Sequence, residues 1–533
     1  MKYSNRALTL LVAGALLVSM AGCSSAGSSA SSAGSTAASA ASLAAAETEF
    51  SLADATLFTF TDGGISAAGD DDGYTIQGTT LTITAPGAYG VSGSCADGNI
   101  LIEEGTQDVV LVLNGLDLTS TTTAPILCGK STGVTIGVQS GTQNSLADTA
   151  ANNKDSDTAS ADAESAVVKC KDGAQVVLCG GGTLNISAAG KNGIKSGTEN
   201  EGRAASFTIR ELTLNIDAPV NDAVNAQQTL NVESGTLNIS AGDDALHSDY
   251  TLNIGAADTD GPVITISGCN EGLEGAELNV FSGTIDITAD DDCLNAANGE
   301  LTDYDFSMNI SGGTINAYSS GGDGFDSNGS MTISGGTIAV WTANAADNQP
   351  LDADGTIDIT GGTVLAAGGS AGMGYSVDST QGYVTYGGSR GGDGEVRLTK
   401  DSAFALTDAE GTTLYSCSAR CDASYLFYCG ADLAADSDYT LTSGGTALAT
   451  ATAQTGSSSA GFGGMGGGQP GQTPPEGAAG QTPPAMEGNA PGAPAANGQG
   501  GTPPERPAGD ASGTPPEKPA GNNAISQAET AAG

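Results

Sequence analysis

The chain is 533 residues long and carries 61 acidic against 16 basic side chains, a formal net charge of −45. A field of that sign excludes nucleic acid as a partner, and carboxylates gathered in ordered positions repel one another unless cations sit among them. Aromatic residues are only 5% of the chain, few for a sugar-stacking surface. His247 is the only histidine, so Cys417, Cys421 and Cys429 do not make a zinc centre.

Lys2 and Arg6 precede an apolar run over 7–20 and then Met20-Ala21-Gly22-Cys23. A basic start followed by a run too short to span a bilayer predicts a signal peptide over 1–22. The small residues before Cys23 resemble the lipobox of bacterial lipoproteins. That implies a diacylated Cys23, and two acyl chains suffice for stable anchoring. The expected location is the extracellular face of a bacterial cell membrane, with the lipid anchor as the only membrane contact. Residues 23–46, almost all Ser, Ala and Gly, read as a flexible tether.

The folded part is expected from residue 47. Leu81-Thr82-Ile83, Ile100-Leu101-Ile102 and Val109-Val110-Leu111-Val112-Leu113 have strand character, the last apolar throughout and so expected to be fully buried. Two segments align without gaps: Pro125-Ile126-Leu127-Cys128 through Val134-Thr135-Ile136, and Val167-Val168-Lys169-Cys170 through Val176-Val177-Leu178. A polar excursion over 145–164 separates them. As successive coils they place Cys128 over Cys170 at about 4.8 Å. The pair is then either a disulfide, which an oxidising compartment permits, or two stacked buried thiols.

From 181 to 369 one five-residue frame recurs. Its copies are Lys191-Asn192-Gly193-Ile194-Lys195, Asn221-Asp222-Ala223-Val224-Asn225, Asp243-Asp244-Ala245-Leu246-His247 and Asn270-Glu271-Gly272-Leu273-Glu274. Then come Asp291-Asp292-Cys293-Leu294-Asn295, Gly322-Asp323-Gly324-Phe325-Asp326 and Asn348-Gln349-Pro350-Leu351-Asp352. The apolar anchors are separated by 30, 22, 27, 21, 31 and 26 residues. Between frames, runs such as Leu237-Asn238-Ile239 and Ile285-Asp286-Ile287 alternate with the period of two that marks strands. Strands recurring once per circuit, with Gly-rich corners, predict an all-β fold. It is a parallel β-helix solenoid over 47–395, each coil burying its apolar face only against its neighbours.

Stacking would bring the polar frame positions of adjacent coils within about 5 Å. Calcium takes about six to eight oxygens from carboxylates, carbonyls and water. The candidate ligands are Asp222, Asn225, Asp243, Asp244, Asn270, Glu271, Glu274, Asp291, Asp292, Asn295, Asp323 and Asp326. Ala223, Ala245, Gly272 and Gly324, the tiny residues before the anchors, keep the approach open. Asp, Asn and Gly also suit ordinary corners, but five adjacent frames with acid in one place point to calcium as a cofactor. His247 falls in the fifth column between Asn225 and Glu274, a stacked polar group and candidate ligand-binding residue. Trp341 follows Val340 on a strand and faces the other way, which makes it the surface candidate for sugar; Phe325, in the anchor column, is assigned to the core.

Shorter strands over 396–452, such as Tyr425-Leu426-Phe427-Tyr428, predict a β cap that hides the last exposed edge. Residues 453–533, rich in Gly, Pro, Ala and Gln with Thr-Pro-Pro at 473, 482, 502 and 514, cannot bury a core and read as a disordered tail.

The opening Ile83-Thr84-Ala85-Pro86-Gly87-Ala88-Tyr89-Gly90-Val91-Ser92-Gly93, with Asp97-Gly98-Asn99-Ile100, Leu111-Val112-Leu113-Asn114-Gly115 and Gly141-Thr142-Gln143-Asn144-Ser145-Leu146-Ala147-Asp148, resembles the secreted bacterial carbohydrate-binding domain-containing protein family. The resemblance covers about residues 50 to 450. It implies a right-handed parallel β-helix that binds calcium and attaches to plant cell-wall polysaccharide, pectin-like or cellulosic. The implied fold is similar to that of calcium-dependent pectate lyases, without a need for catalysis. A lyase would require a Lys or Arg base beside the cation, and Lys191, Lys195, Arg203 and Arg210 are the nearest candidates. The expectation is a non-catalytic binding protein. Its alternatives are a calcium-dependent polysaccharide lyase and a β-helix adhesin or spacer that meets another protein.

Overall fold

The computed structural model describes residues 48–69, 72–343, 348–369, 376–387 and 396–459. The signal peptide, Cys23, the tether and the tail beyond 459 lie outside the described residues. Among those described, the chain is all-β with no helix. One 32-stranded sheet, mostly parallel, holds most of the chain, and a separate four-stranded antiparallel sheet forms from Ala403–Thr407, Thr413–Ser418, Asp438–Ser443 and Thr446–Thr452.

Most strands of the large sheet pair with a strand one circuit further along the chain, so parallel pairing needs only corner loops. Three ladders result. The first carries the frame anchors in register: Ile126, Val168, Ile194, Val224, Leu246, Leu273, Leu294, Phe325 and Leu351. The second aligns Phe207, Leu230, Leu252, Leu278, Met308, Met331, Ile357 and Val377. The third aligns Leu146, Ile186, Ile216, Ile239, Ile266, Ile287, Ala317, Val340 and Ala366. These columns are buried in one continuous apolar cluster. On the outer faces the alternate positions stack as amide ladders. Asn215 Nδ2 donates to Asn185 Oδ1 and Asn238 Nδ2 to Asn215 Oδ1, each at 2.8 Å. On the second ladder Asn253 Nδ2 donates to Asn231 Oδ1 at 2.9 Å and Asn279 Nδ2 to Asn253 Oδ1 at 3.0 Å.

Both ends of the ladders change to antiparallel pairing. Thr56–Thr61 pairs antiparallel with Gly64–Ala68, and Tyr74–Gln77 with Thr80–Ile83. At the other end Tyr425–Gly430 lies antiparallel to both Ile357–Gly368 and Ser376–Gly387. Gln454–Ser459 also pairs with Ser376–Gly387, so ordered strand extends past the boundary expected at 452. Antiparallel strands laid across a parallel edge occupy hydrogen-bonding groups that would otherwise recruit another chain.

The cap explains a correction. Trp341 does face away from Val340, as its strand position predicts, but it is only 1% exposed. It belongs to a second core cluster with Leu365, Val384 and Leu406, and its indole meets Phe404 edge-on at 5.9 Å. The outer face of the last coils is covered by the cap, so Trp341 is not a sugar-stacking surface.

Cys128 and Cys170 sit opposite each other in register, fully buried, as free thiols. They stand as the second of the two alternatives, stacked buried thiols; the hydrogen bond with Cys170, then burial, hold the Cys128 pKa well above the usual thiol value.

Two outcomes follow from the stacked core. Leu273→Ala, in a column between Leu246 and Leu294, is expected to destabilise the fold by about 2–5 kcal/mol, read as a lower denaturant midpoint. Phe281→Ala, at a site 38% exposed, should cost about 0.5 kcal/mol or less; equal effects would refute the stacked-core account. Alkylation of the denatured, unreduced protein should label both Cys128 and Cys170. Labelling that appears only after a reductant would restore the disulfide.

Candidate functional site

The frame column that follows the anchors also holds its register. Lys169, Lys195, Asn225, His247, Glu274, Asn295 and Asp326 stack one per coil. Because the anchor side chain points inward, the residue after it in the frame points outward, and in several frames the residue before the anchor has no room for a side chain. At Gly272 an added Cβ would meet the Cys293 carbonyl oxygen at 2.3 Å, and at Gly324 the Pro350 carbonyl oxygen at 2.4 Å.

Stacking gathers the acids into three groups whose ligand atoms all lie within 4.8 Å of one another: Asp222, Asp243 and Asp244; Asp244, His247 and Glu274; and Asp323, Asp326 and Asp352. In the first, Asp222 Oδ2 accepts from Asn225 Nδ2 at 2.6 Å, and Asp222 Oδ1 from the Asp244 N–H at 3.3 Å. In the second, His247 Nδ1 lies between Asp244 Oδ2, at 3.1 Å, and Glu274 Oε2, while Nε2 meets Asp249 Oδ1 at 2.9 Å. Between the second and third groups, Asn295 Nδ2 donates to Glu271 Oε2 at 2.9 Å and the Asp323 N–H to Asp292 Oδ1 at 2.6 Å. Asn270 contributes backbone hydrogen bonds, Asp291 is exposed at the corner, and among the candidate acids Glu271, Asp291 and Asp292 join none of the three groups.

Two partners were not legible as candidates. Asp352 completes the third group, but Asn348 and Gln349 lead its frame, so a search for acidic frame starts passes over it; its fifth position is the usable signal. Asp249, which holds His247 Nε2, falls two residues beyond its frame.

Crowding raises the carboxyl pKa values. Burial first, then the Asp244 charge, push Asp222 up to about 6. Burial, then Glu274, push Glu271 up to about 8. Burial lifts Asp292 and Asp323 each to about 7, and burial with Asp352 lifts Asp326 to about 6. For His247, burial favours the neutral ring, but the hydrogen bonds with Asp244, Asp249 and Glu274 outweigh it and hold its pKa well above the usual value.

A cation fits these residues by a separate observation. Four buried amide oxygens among the described residues lack a hydrogen-bond donor, and three of them, on Asn225, Asn295 and Gln349, lie in the frames. A buried acceptor left alone costs about 1–3 kcal/mol. Carboxylates and uncommitted amide oxygens together are the hard donor set that calcium takes. Asp222, Asp243, Asp244 and Asn225 would form one such set, and Asp323, Asp326, Asp352, Asn295 and Gln349 supply the oxygens for another.

Without a divalent cation, stability should fall as pH rises. Each raised carboxyl keeps a proton in the fold that the unfolded chain has released. Its contribution is complete below the unfolded value of about 4 and is lost as pH passes its folded value, about 6 for Asp222 and about 8 for Glu271. Raised His247 acts in the same direction. In chelator the melting temperature is expected to drop between about pH 5 and pH 8; a flat or rising profile would contradict the crowded-carboxylate account.

A sequence model of the carbohydrate-binding domain-containing protein family matches residues 77–372. A protein of that description from Acetivibrio thermocellus is 33% identical over 131 residues, 24% of this chain and 44% of the relative. The chain thus spans less than half the length of that relative. A solved structure described as a polysaccharide lyase-like protein from C. thermocellum, in a gadolinium derivative, aligns over 57% of this chain and 96% of its own, at 23% identity with a TM-score of 0.33. With the family pattern matched across more than half its residues, the chain belongs to the carbohydrate-binding domain-containing protein family.

Proposed function

We propose that the three ladders wind as a right-handed parallel β-helix that carries calcium along its acidic column and holds plant-type polysaccharide, pectin-like or cellulosic, without cleaving it. In this reading Cys23 anchors the protein by lipid to the outer face of a bacterial membrane. The observation that carries the reading is the set of donorless amide oxygens on Asn225, Asn295 and Gln349 among stacked carboxylates. A cation held there has coordination positions to spare for a ligand's own carboxylate, which lets an acidic protein hold an acidic polymer.

Sugar rings need a different surface from Trp341. Tyr250, Tyr304 and Phe306 are partly exposed and adjoin one another, with ring centroids 6.2 and 5.4 Å apart. They lie beside the acidic column, because Asn298 Nδ2 donates to the Asp249 carbonyl at 2.8 Å and Asp249 holds His247. We assign these faces to apolar contact with the polymer.

One observation favours a second reading, a calcium-dependent lyase. Burial lowers the pKa of Lys195, and Asp222 lies within its field. A lysine with a lowered pKa near a cation site is what proton abstraction beside a carboxylate requires.

Calorimetric titration of the full chain with polygalacturonate separates the readings. Binding in calcium that is lost in chelator, with no unsaturated product, is expected. Binding indifferent to chelator would sink the calcium-bridged reading, and accumulation of unsaturated product would decide for the lyase.

A further inference from the structure

The column that carries the acids begins with two lysines. Lys169 stacks on Leu127 on one side and on Lys195 on the other, and Lys195 stacks in turn on Asn225. Parallel in-register neighbours are about 4.8 Å apart, so two ammonium stems leave adjacent coils in the same direction. Both residues are only partly exposed. Among the described residues neither makes an ion pair, although the chain holds 61 acidic residues against 16 basic ones.

The carboxylates whose fields reach this pair are committed elsewhere. Glu164, near Lys169, is shared by Lys154 at 3.1 Å and Lys171 at 2.9 Å. Asp222, near Lys195, accepts from Asn225 and from the Asp244 N–H. Asp249 is held by His247, and Asp155 pairs with Lys191. Burial, then the neighbouring Lys195, lower the Lys169 pKa to about 8. Two like charges stacked in a half-buried position destabilise the fold, and the protein's own acids, hydrogen-bonded elsewhere, relieve them only in part.

We propose that Lys169 and Lys195 form an anion subsite that receives a uronate carboxylate of an acidic polysaccharide, at the cationic end of the column whose other end holds the acids. The proposal rests on the polysaccharide-binding reading above and adds to it the charge of the sugar. A carboxylate spanning two ammonium groups can accept from both with its two oxygens. One polymer lying along the column then meets lysines directly at one end and cation-bridged carboxylates at the other.

The test compares polygalacturonate with its fully methyl-esterified form, in calcium, using the full chain. The wild type is expected to prefer the free acid. K169Q/K195Q should lose about tenfold in affinity for the free acid, the size of one charged hydrogen bond, and nothing for the ester. K169R/K195R should keep the preference. Without ligand, the Gln variant should melt at or above the wild-type temperature, because a repulsion has been removed. If the wild type binds the free acid and K169Q/K195Q binds it equally well, or weakens on both polymers alike, the subsite is wrong while the broader reading stands. A wild type that binds neither polymer overturns both.

Discussion

The structure depends on register. A single strand of this chain is too thin to bury a core by itself, so each anchor is dry only because its paired anchors lie beside it in the ladder. The backbone enforces the alignment, since parallel hydrogen bonds bring one strand onto the next at a fixed spacing. A slip of one residue would turn Leu273 outward and Gly272 or Glu274 inward, exchanging apolar contact for a buried charge. Register is therefore defended on both faces of every strand.

The same repeat that lays leucine on leucine lays aspartate on aspartate. Nothing in the fold allows the inner column to be in step while the outer one is staggered. Burial first, and neighbouring carboxylates after it, raise the values at Asp222, Glu271, Asp292 and Asp323, and the second of these causes records that coupling. Elsewhere on the outer surface, neutral amides use the repeat without strain, as in the chain from Asn238 through Asn215 to Asn185. Placing acids where asparagines would stack comfortably keeps a costly surface in one position, and the donorless oxygens of Asn225 and Asn295 lie within it.

The ladders were legible in the sequence because they are local patterns repeated: anchors 194 through 351 can be aligned by eye, and the structure pairs every one of them. The twelve polar candidates were legible as a band but not as groups. Which oxygens meet depends on side-chain direction at each corner, so Glu271, Asp291 and Asp292 fall outside the groups while Asp352 enters. Trp341 was misread because part of its cover, Phe404 and Leu406, comes from more than sixty positions later. Strand alternation correctly gave its direction, but the cap that covers it follows no repeat and cannot be inferred from periodicity. The thiol pair shows the same division: stacking of Cys128 on Cys170 followed from alignment, whereas alignment alone left thiol and disulfide both open.

The circuits between anchors range from 21 to 42 residues, yet the anchors themselves stay in strict succession. All surplus length is therefore expelled into the corners, such as the excursions at 148–165 and 297–306. Chain length and architecture are decoupled in such a scaffold. A duplication or deletion at a corner would rewrite the outer surface without disturbing the ladders beneath, and Tyr304 and Phe306 sit on one such corner, between Leu294–Ala296 and Ser307–Ile310. Selection can remodel what this surface grips one corner at a time while the core goes unchanged.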